Sequence, residues 1–120
     1  MSLRETLSEI VQKVEGSRAA VIMASDGIPI DEVVVNMDGL DLQLLTVEYA
    51  TVLKDVKRTI ELLKVGETEE LCITSGQLYV VLRVLSDELF VVLVLDRDGN
   101  LGKGRYMLRL KCQDFIQELL

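Results

Sequence analysis

The chain has 120 residues, 49% of them hydrophobic, which suits one packed domain, is too short for two, and argues against a disordered protein. Lys and Arg number 13 against 20 Asp and Glu, and a net charge of −7 with two Phe and no Trp argues against nucleic acid or an anionic membrane as partner. The absence of histidine removes Ser-His-Asp and Cys-His nucleophile pairs, His metal ligands and the usual near-neutral proton shuttle.

Ser2 and Glu5 match a capping box, and Leu3, Leu7, Ile10, Val11 and Val14 follow at helical spacing until Gly16. This start, Met1 to Val14, is charged and amphipathic, so no secretory leader is expected. Residues 18–24 form a short apolar run, Asp26-Gly27 is a tight-turn signal, and Ile28 to Val35 is the returning strand. Pro29 lacks an amide donor, which places that strand at a sheet edge or has it begin there.

Asn36 to Gly39 is a loop, with Asp38 or Asp41 available to cap a long helix from about Leu42 to Leu63. Leu42, Leu45, Tyr49, Val52, Leu53, Val56, Ile60 and Leu63 share one face. A second line through Leu44, Val47, Thr51, Arg58 and Leu62 lies roughly 150–180° around the helix. A simple surface helix would be charged there. The line is either scatter of single exposed apolar residues or a contact face for another chain.

Three strands follow: Glu69 to Thr74, Leu78 to Leu85 and Leu89 to Leu95, with turns at Ser75-Gly76-Gln77 and Ser86-Asp87-Glu88. Turns this short allow only antiparallel neighbours, and the last two runs are apolar enough to be covered on both faces. Apolar runs broken by Arg83 and Asp87-Glu88 leave no membrane span. A final helix runs from Leu101 or Lys103 to Leu120, with Leu108, Cys112, Phe115, Ile116 and Leu119 as its stripe. The order α-β-β-α-β-β-β-α, with five antiparallel strands and helices on both faces, implies a single-domain α/β protein over residues 1–120, a three-layer α/β/α sandwich. Cys72 and Cys112 are too few for a disulfide framework or zinc site; each sits among apolar residues and is expected to be a reduced core thiol in a cytosolic protein.

The stretch Asp96-Arg97-Asp98-Gly99-Asn100-Leu101-Gly102-Lys103-Gly104-Arg105-Tyr106 invites a phosphate or metal reading. A P-loop needs four residues between its first glycine and Gly-Lys, then Ser or Thr; here the spacing is two residues short and Gly104 replaces the hydroxyl. The glycine spacing also fails the dinucleotide fingerprint, and an EF-hand counted from Asp96 would put Met107 where a glutamate belongs. The glycines read as turn chemistry, with weak anion attraction at Lys103 and Arg105 left open. The acidic groups at Asp31-Glu32, Glu67-Glu69-Glu70 and Asp87-Glu88 fall at turns or an edge strand, where charge discourages aggregation. Thr46, Thr51, Thr59 and Ser75 have no base beside them in sequence, and nothing supports an enzyme or a cofactor.

The order of elements, with "SRAAVIMASDGIPI", "LTVEYATVLKDVKRTIELL" and "LGKGRYMLRL", resembles the Roadblock (dynein light-chain) family, a profilin-like fold, over essentially the whole chain. Its most specific local points are the Asp26-Gly27 hairpin and the Leu101-Gly102-Lys103 helix entry. The resemblance implies a non-enzymatic homodimer in the cytoplasm. The edge strand would pair with its copy through Glu70, Leu71, Cys72, Ile73 and Thr74 into a ten-stranded sheet, and the long helices would lie side by side. The chain resembles in particular the bacterial gliding-type (MglB-like) regulators, which dock a small Ras-like GTPase over the paired helices and reorder its switch region without supplying an arginine finger. The corresponding helix face here is Leu44, Val47, Thr51, Asp55 and Arg58. In those regulators the helix is rich in Ala and Gly, whereas here it carries Glu48, Tyr49, Lys54, Asp55 and Arg58. The chain also ends at Leu120 without a long C-terminal extension, so effects that depend on such a tail are not expected. A scaffold with no effect on GTP hydrolysis and a small-ligand sensor are the alternative readings.

Overall fold

The computed structural model describes residues 2–119. The elements are α1 (Leu3–Lys13), β1 (Ser17–Ala24), β2 (Pro29–Val34), α2 (Leu42–Leu63), β3 (Glu70–Thr74), β4 (Leu78–Ser86), β5 (Leu89–Asp96) and α3 (Leu101–Leu119). The expected order is present in full, and the expected end of the last helix at Leu120 lies outside the described residues. One five-stranded antiparallel sheet runs β2-β1-β5-β4-β3, so β2 and β3 are its edges.

Local chemistry sets the boundaries. Ser2 and Glu5 close the capping box at the start of α1. Of the two candidate caps for α2, Asp41 fills the role, accepting from the Leu44 N–H at 3.0 Å, while Lys64 ends the helix in the left-handed conformation. Asn100 caps α3 by accepting from the Lys103 N–H at 3.1 Å.

The central strands alternate between two cores, as strand geometry requires of a sheet covered on both faces. Ala20, Ile22, Val81, Val91, Leu93 and Leu95 pack with Leu7, Ile10 and Val14 of the α1 segment and with Leu108 and Phe115 of α3. Val21, Met23, Val80, Leu82, Val92 and Val94 face the opposite way onto Ala50 and Leu53 of α2. The three-layer sandwich is therefore α1 and α3 on one face and α2 alone on the other.

Ion pairs join the outer elements. Arg4 of α1 reaches Asp31 of β2 at 2.6 Å, and that hydrogen bond holds the Asp31 carboxyl below its usual range. Lys111 of α3 lies 2.5 Å from Glu9 of α1, with Lys13 adding a second hydrogen bond, and these hold the Glu9 carboxyl low. Arg18 bonds Asp96 at 2.9 Å and the carbonyls of Asn36 and Asp38, tying β1 to the loop before α2.

Candidate interaction face

α2 covers its side of the sheet alone, and its coverage is uneven. Its fully buried positions are Thr46, Ala50 and Leu53. At about 100° per residue, the centre of the apolar stripe read from the sequence lies roughly 80° around the helix from the centre of those three. One flank, with Gln43 and Val47, borders an open hollow against Val21, Gly27, Pro29 and Glu32, which places it toward β1 and β2. The other flank, with Leu45, Val52, Val56 and Leu63, therefore leans toward β4 and β3. Leu45, Tyr49, Leu71 and Ile73 pack against the same core, yet Val52 remains 41% and Leu63 64% exposed. An apolar strip thus continues from the side of α2 to the open edge of the sheet.

Leu44, Val47, Thr51, Asp55 and Arg58 are all exposed. They occupy the outer arc of α2, with Val47 at its margin beside the hollow next to β1 and β2. The Thr51 hydroxyl bonds back to the Val47 carbonyl at 3.3 Å. The Val52, Val56 and Leu63 flank was grouped in the sequence with the buried stripe. The stripe spans about 100° of the helix, an ordinary width for a buried face, so its width carries no signal that this flank stays exposed.

β3 offers the second part of the face. Its register with β4 is regular from Glu70 opposite Arg83 to Thr74 opposite Tyr79. The Val84 N–H donates to the Glu69 carbonyl at 3.0 Å, and the Ser75 N–H to the Leu78 carbonyl at 2.9 Å. Antiparallel alternation then turns the backbone groups of Leu71 and Ile73 toward β4, and those of Glu70, Cys72 and Thr74 outward. The side chains of Leu71 and Ile73 join the core under α2. Glu70 is held on the opposite face by Arg105 at 2.7 Å and Arg83 at 3.9 Å.

Cys72 corrects the sequence reading: it is exposed at this edge, while Cys112 is half-buried against the α1–α3 core. The apolar neighbours Leu71 and Ile73 pointed to a core thiol, but adjacent strand residues face opposite ways, and α3 does not extend over this edge. Partial burial still pushes the Cys72 thiol above its usual range, opposed by Arg105 and aided by Glu70.

The glycine stretch lies where β5 meets α3. The Asp96 N–H donates to the Gly16 carbonyl at 2.8 Å and the Asn100 N–H to the Glu15 carbonyl at 3.0 Å, so the loop is bound to the end of α1. Arg97 lies over the Tyr79 ring at 4.9 Å, Arg105 is spent on Glu70, and Lys103 is exposed. Among the described residues no group of three or more His, Cys, Asp or Glu could hold a metal ion, and no helix is long and apolar enough to cross a membrane.

No protein-family model matches the chain. No curated protein matches it either. Solved structures do. The chain is 39% identical to MglC from Myxococcus xanthus, covering 95% of this chain and 96% of that one, with a TM-score of 0.68. It shares its fold with a Roadblock/LC7 domain from Streptomyces avermitilis at 12% identity, over 99% of this chain and 98% of that one, with a TM-score of 0.85. Myxococcus xanthus MglB aligns over 100% of both chains at 12% identity, with a TM-score of 0.81.

Proposed function

The chain belongs to the Roadblock/LC7 family, and from that premise we propose that it is a homodimeric, non-catalytic module that binds and regulates a small Ras-like GTPase in the cytoplasm. The observation that carries this reading is the apolar strip from the Val52 flank of α2 to the β3 edge. It is too exposed to serve the fold of one chain, and it lies beside a strand whose outward backbone groups have no neighbour within the sheet. Two copies joined there would bring their α2 helices side by side. The outer arcs, with Leu44, Val47, Thr51, Asp55 and Arg58, would then form one continuous platform. The likeness to MglC and MglB favours a GTPase of the gliding type as the protein bound on it.

A scaffold role uses the same dimer and platform and differs only in leaving GTP hydrolysis unchanged. The test begins with capture of partners from native cytosol on the immobilised protein, with GDP and with a GTP analogue. Turnover of the captured GTPase is then measured with wild-type protein and with the double variant Val47→Asp/Arg58→Glu, alongside native mass. We expect faster turnover with wild type and loss of both binding and stimulation with the variant. A variant that binds and stimulates like wild type and keeps its dimeric mass removes the outer arc from the site. Binding without any change in turnover leaves the scaffold role.

A further inference from the structure

We propose that β3 pairs with β3 of a second copy of this chain in one register, antiparallel and centred on Cys72, so that Cys72 lies opposite the partner's Cys72. This rests on the homodimer proposed above and adds the geometry of its central seam.

The hydrogen-bond polarity of the edge limits the choices. Only Glu70, Cys72 and Thr74 present their backbone groups outward, so they must supply the inter-chain ladder. A centre at Cys72 uses all of them: Glu70 faces Thr74, Cys72 faces itself and Thr74 faces Glu70. Shifting the centre to Leu71 or Ile73 leaves one of the three outward residues without a partner inside the strand. A centre at Glu70 leaves both Cys72 and Thr74 facing residues outside the strand, and one at Thr74 does the same to Cys72 and Glu70.

The side chains select the same register. On the α2 face it sets Leu71 opposite Ile73 in both directions, so apolar meets apolar and the strip from α2 continues across the seam. A centre at Leu71 would instead set Ile73 against the charged Glu69, and one at Ile73 would set Leu71 against Ser75. On the α3 face Glu70 is already neutralised by Arg105 and Arg83, and Thr74 opposite it needs no countercharge. The edge has no proline and no register shift within Glu70–Thr74 to block approach.

Cysteine chemistry reads the register directly. Residues directly opposite in a hydrogen-bonded antiparallel pair have Cα atoms about 5.5 Å apart, inside the range a disulfide spans, whereas diagonal neighbours lie about 7–8 Å apart, outside it. The test uses the full chain with Cys112→Ala, leaving Cys72 as its one thiol, treated with diamide at mildly alkaline pH and read on a non-reducing gel beside native mass. Joining two thiols releases two protons and two electrons, which reduce the N=N bond of diamide to the hydrazine. Leu71→Cys and Ile73→Cys, each in a Cys72→Ser/Cys112→Ala background, serve as register controls. We expect a covalent dimer, reversed by dithiothreitol, from the Cys72 protein and monomer from both controls. A dimeric mass with cross-linking at 71 or 73 in place of 72, or at none of them, overturns the register and leaves the homodimer standing. A monomeric mass at every concentration overturns the homodimer and the register together.

Discussion

Gly16 and Gly99 meet where the end of α1 crosses the loop between β5 and α3. A Cβ built on Gly16 would sit 2.5 Å from the Gly99 Cα, and one on Gly99 would sit 2.8 Å from the Glu15 carbonyl oxygen. Gly16 also has φ +83°, which side chains rarely adopt. Gly104 is buried for a third reason, with Leu93 and Leu95 within 3.0 and 3.2 Å of where its Cβ would lie. At Gly102 a Cβ would meet the Asn100 side chain at an ordinary 3.9 Å, in a helical position. The sequence showed that the spacing of these glycines matches none of the P-loop, dinucleotide and EF-hand templates. It could not show which are needed, because the obstruction at Gly99 comes from a backbone some eighty residues earlier in the chain. Gly16→Ala and Gly99→Ala should each lower stability by about 1–3 kcal/mol, whereas Gly102→Ala should raise it by about 0.4–1 kcal/mol. Urea unfolding of the three variants checks this. A Gly99→Ala protein as stable as wild type would show that the close approach relaxes at no cost. Cys72 teaches a related lesson, since its sequence neighbours described the face of the sheet that its own side chain does not occupy.

At the scale of the element, α2 was the most legible helix and the one whose pattern needed the structure most. Its length, its start near Asp41 and its apolar periodicity followed from the sequence. The direction of its stripe did not, because periodicity gives the width of an apolar face but not the axis of the surface beneath it. Thr46 and Ala50 are buried beside Leu53, where small side chains let the helix lie close to the sheet, and the larger Val52 and Leu63 stay exposed on the other flank. This separates two kinds of exposed apolar residue on one helix. Val52→Glu should shift the protein from dimer to monomer with its helical circular dichroism intact, since a carboxylate buried in a seam without a partner is costly. Leu62, also exposed but opposite the buried line, should tolerate the same change with no effect on mass. Sedimentation of both variants at micromolar concentration reads the difference, and a Val52→Glu protein that stays dimeric counts against this flank as the seam.

At the scale of the molecule, the order of elements and the resemblance to Roadblock domains were legible because turns and apolar runs are local signals. The hairpins β1–β2 and β3–β4–β5 follow from short turns. The pairing of β1 with β5 that unites them had no such signal: it joins residues 17–24 to residues 89–95 across the whole of α2. That pairing leaves two edges of different character. β2 begins with Pro29, carries Asp31 and Glu32, and shifts register against β1 between Ile22 and Met23, all of which discourage another strand. β3 has none of these protections beyond Glu70, whose charge is already paired. The contrast makes β3 the edge open to the proposed association, and proline can test it without disturbing the fold. The Cys72 N–H points away from β4, so Cys72→Pro removes no hydrogen bond within the sheet, and an edge position with an outward N–H is where a strand tolerates proline. If two copies join at β3, the wild-type melting temperature rises with protein concentration, because association stabilises the folded chain by mass action. Cys72→Pro should lose that dependence while keeping the far-ultraviolet spectrum of the wild type, and Cys72→Ser should retain it. A Cys72→Pro protein whose melting temperature still climbs with concentration would place the association elsewhere than this edge.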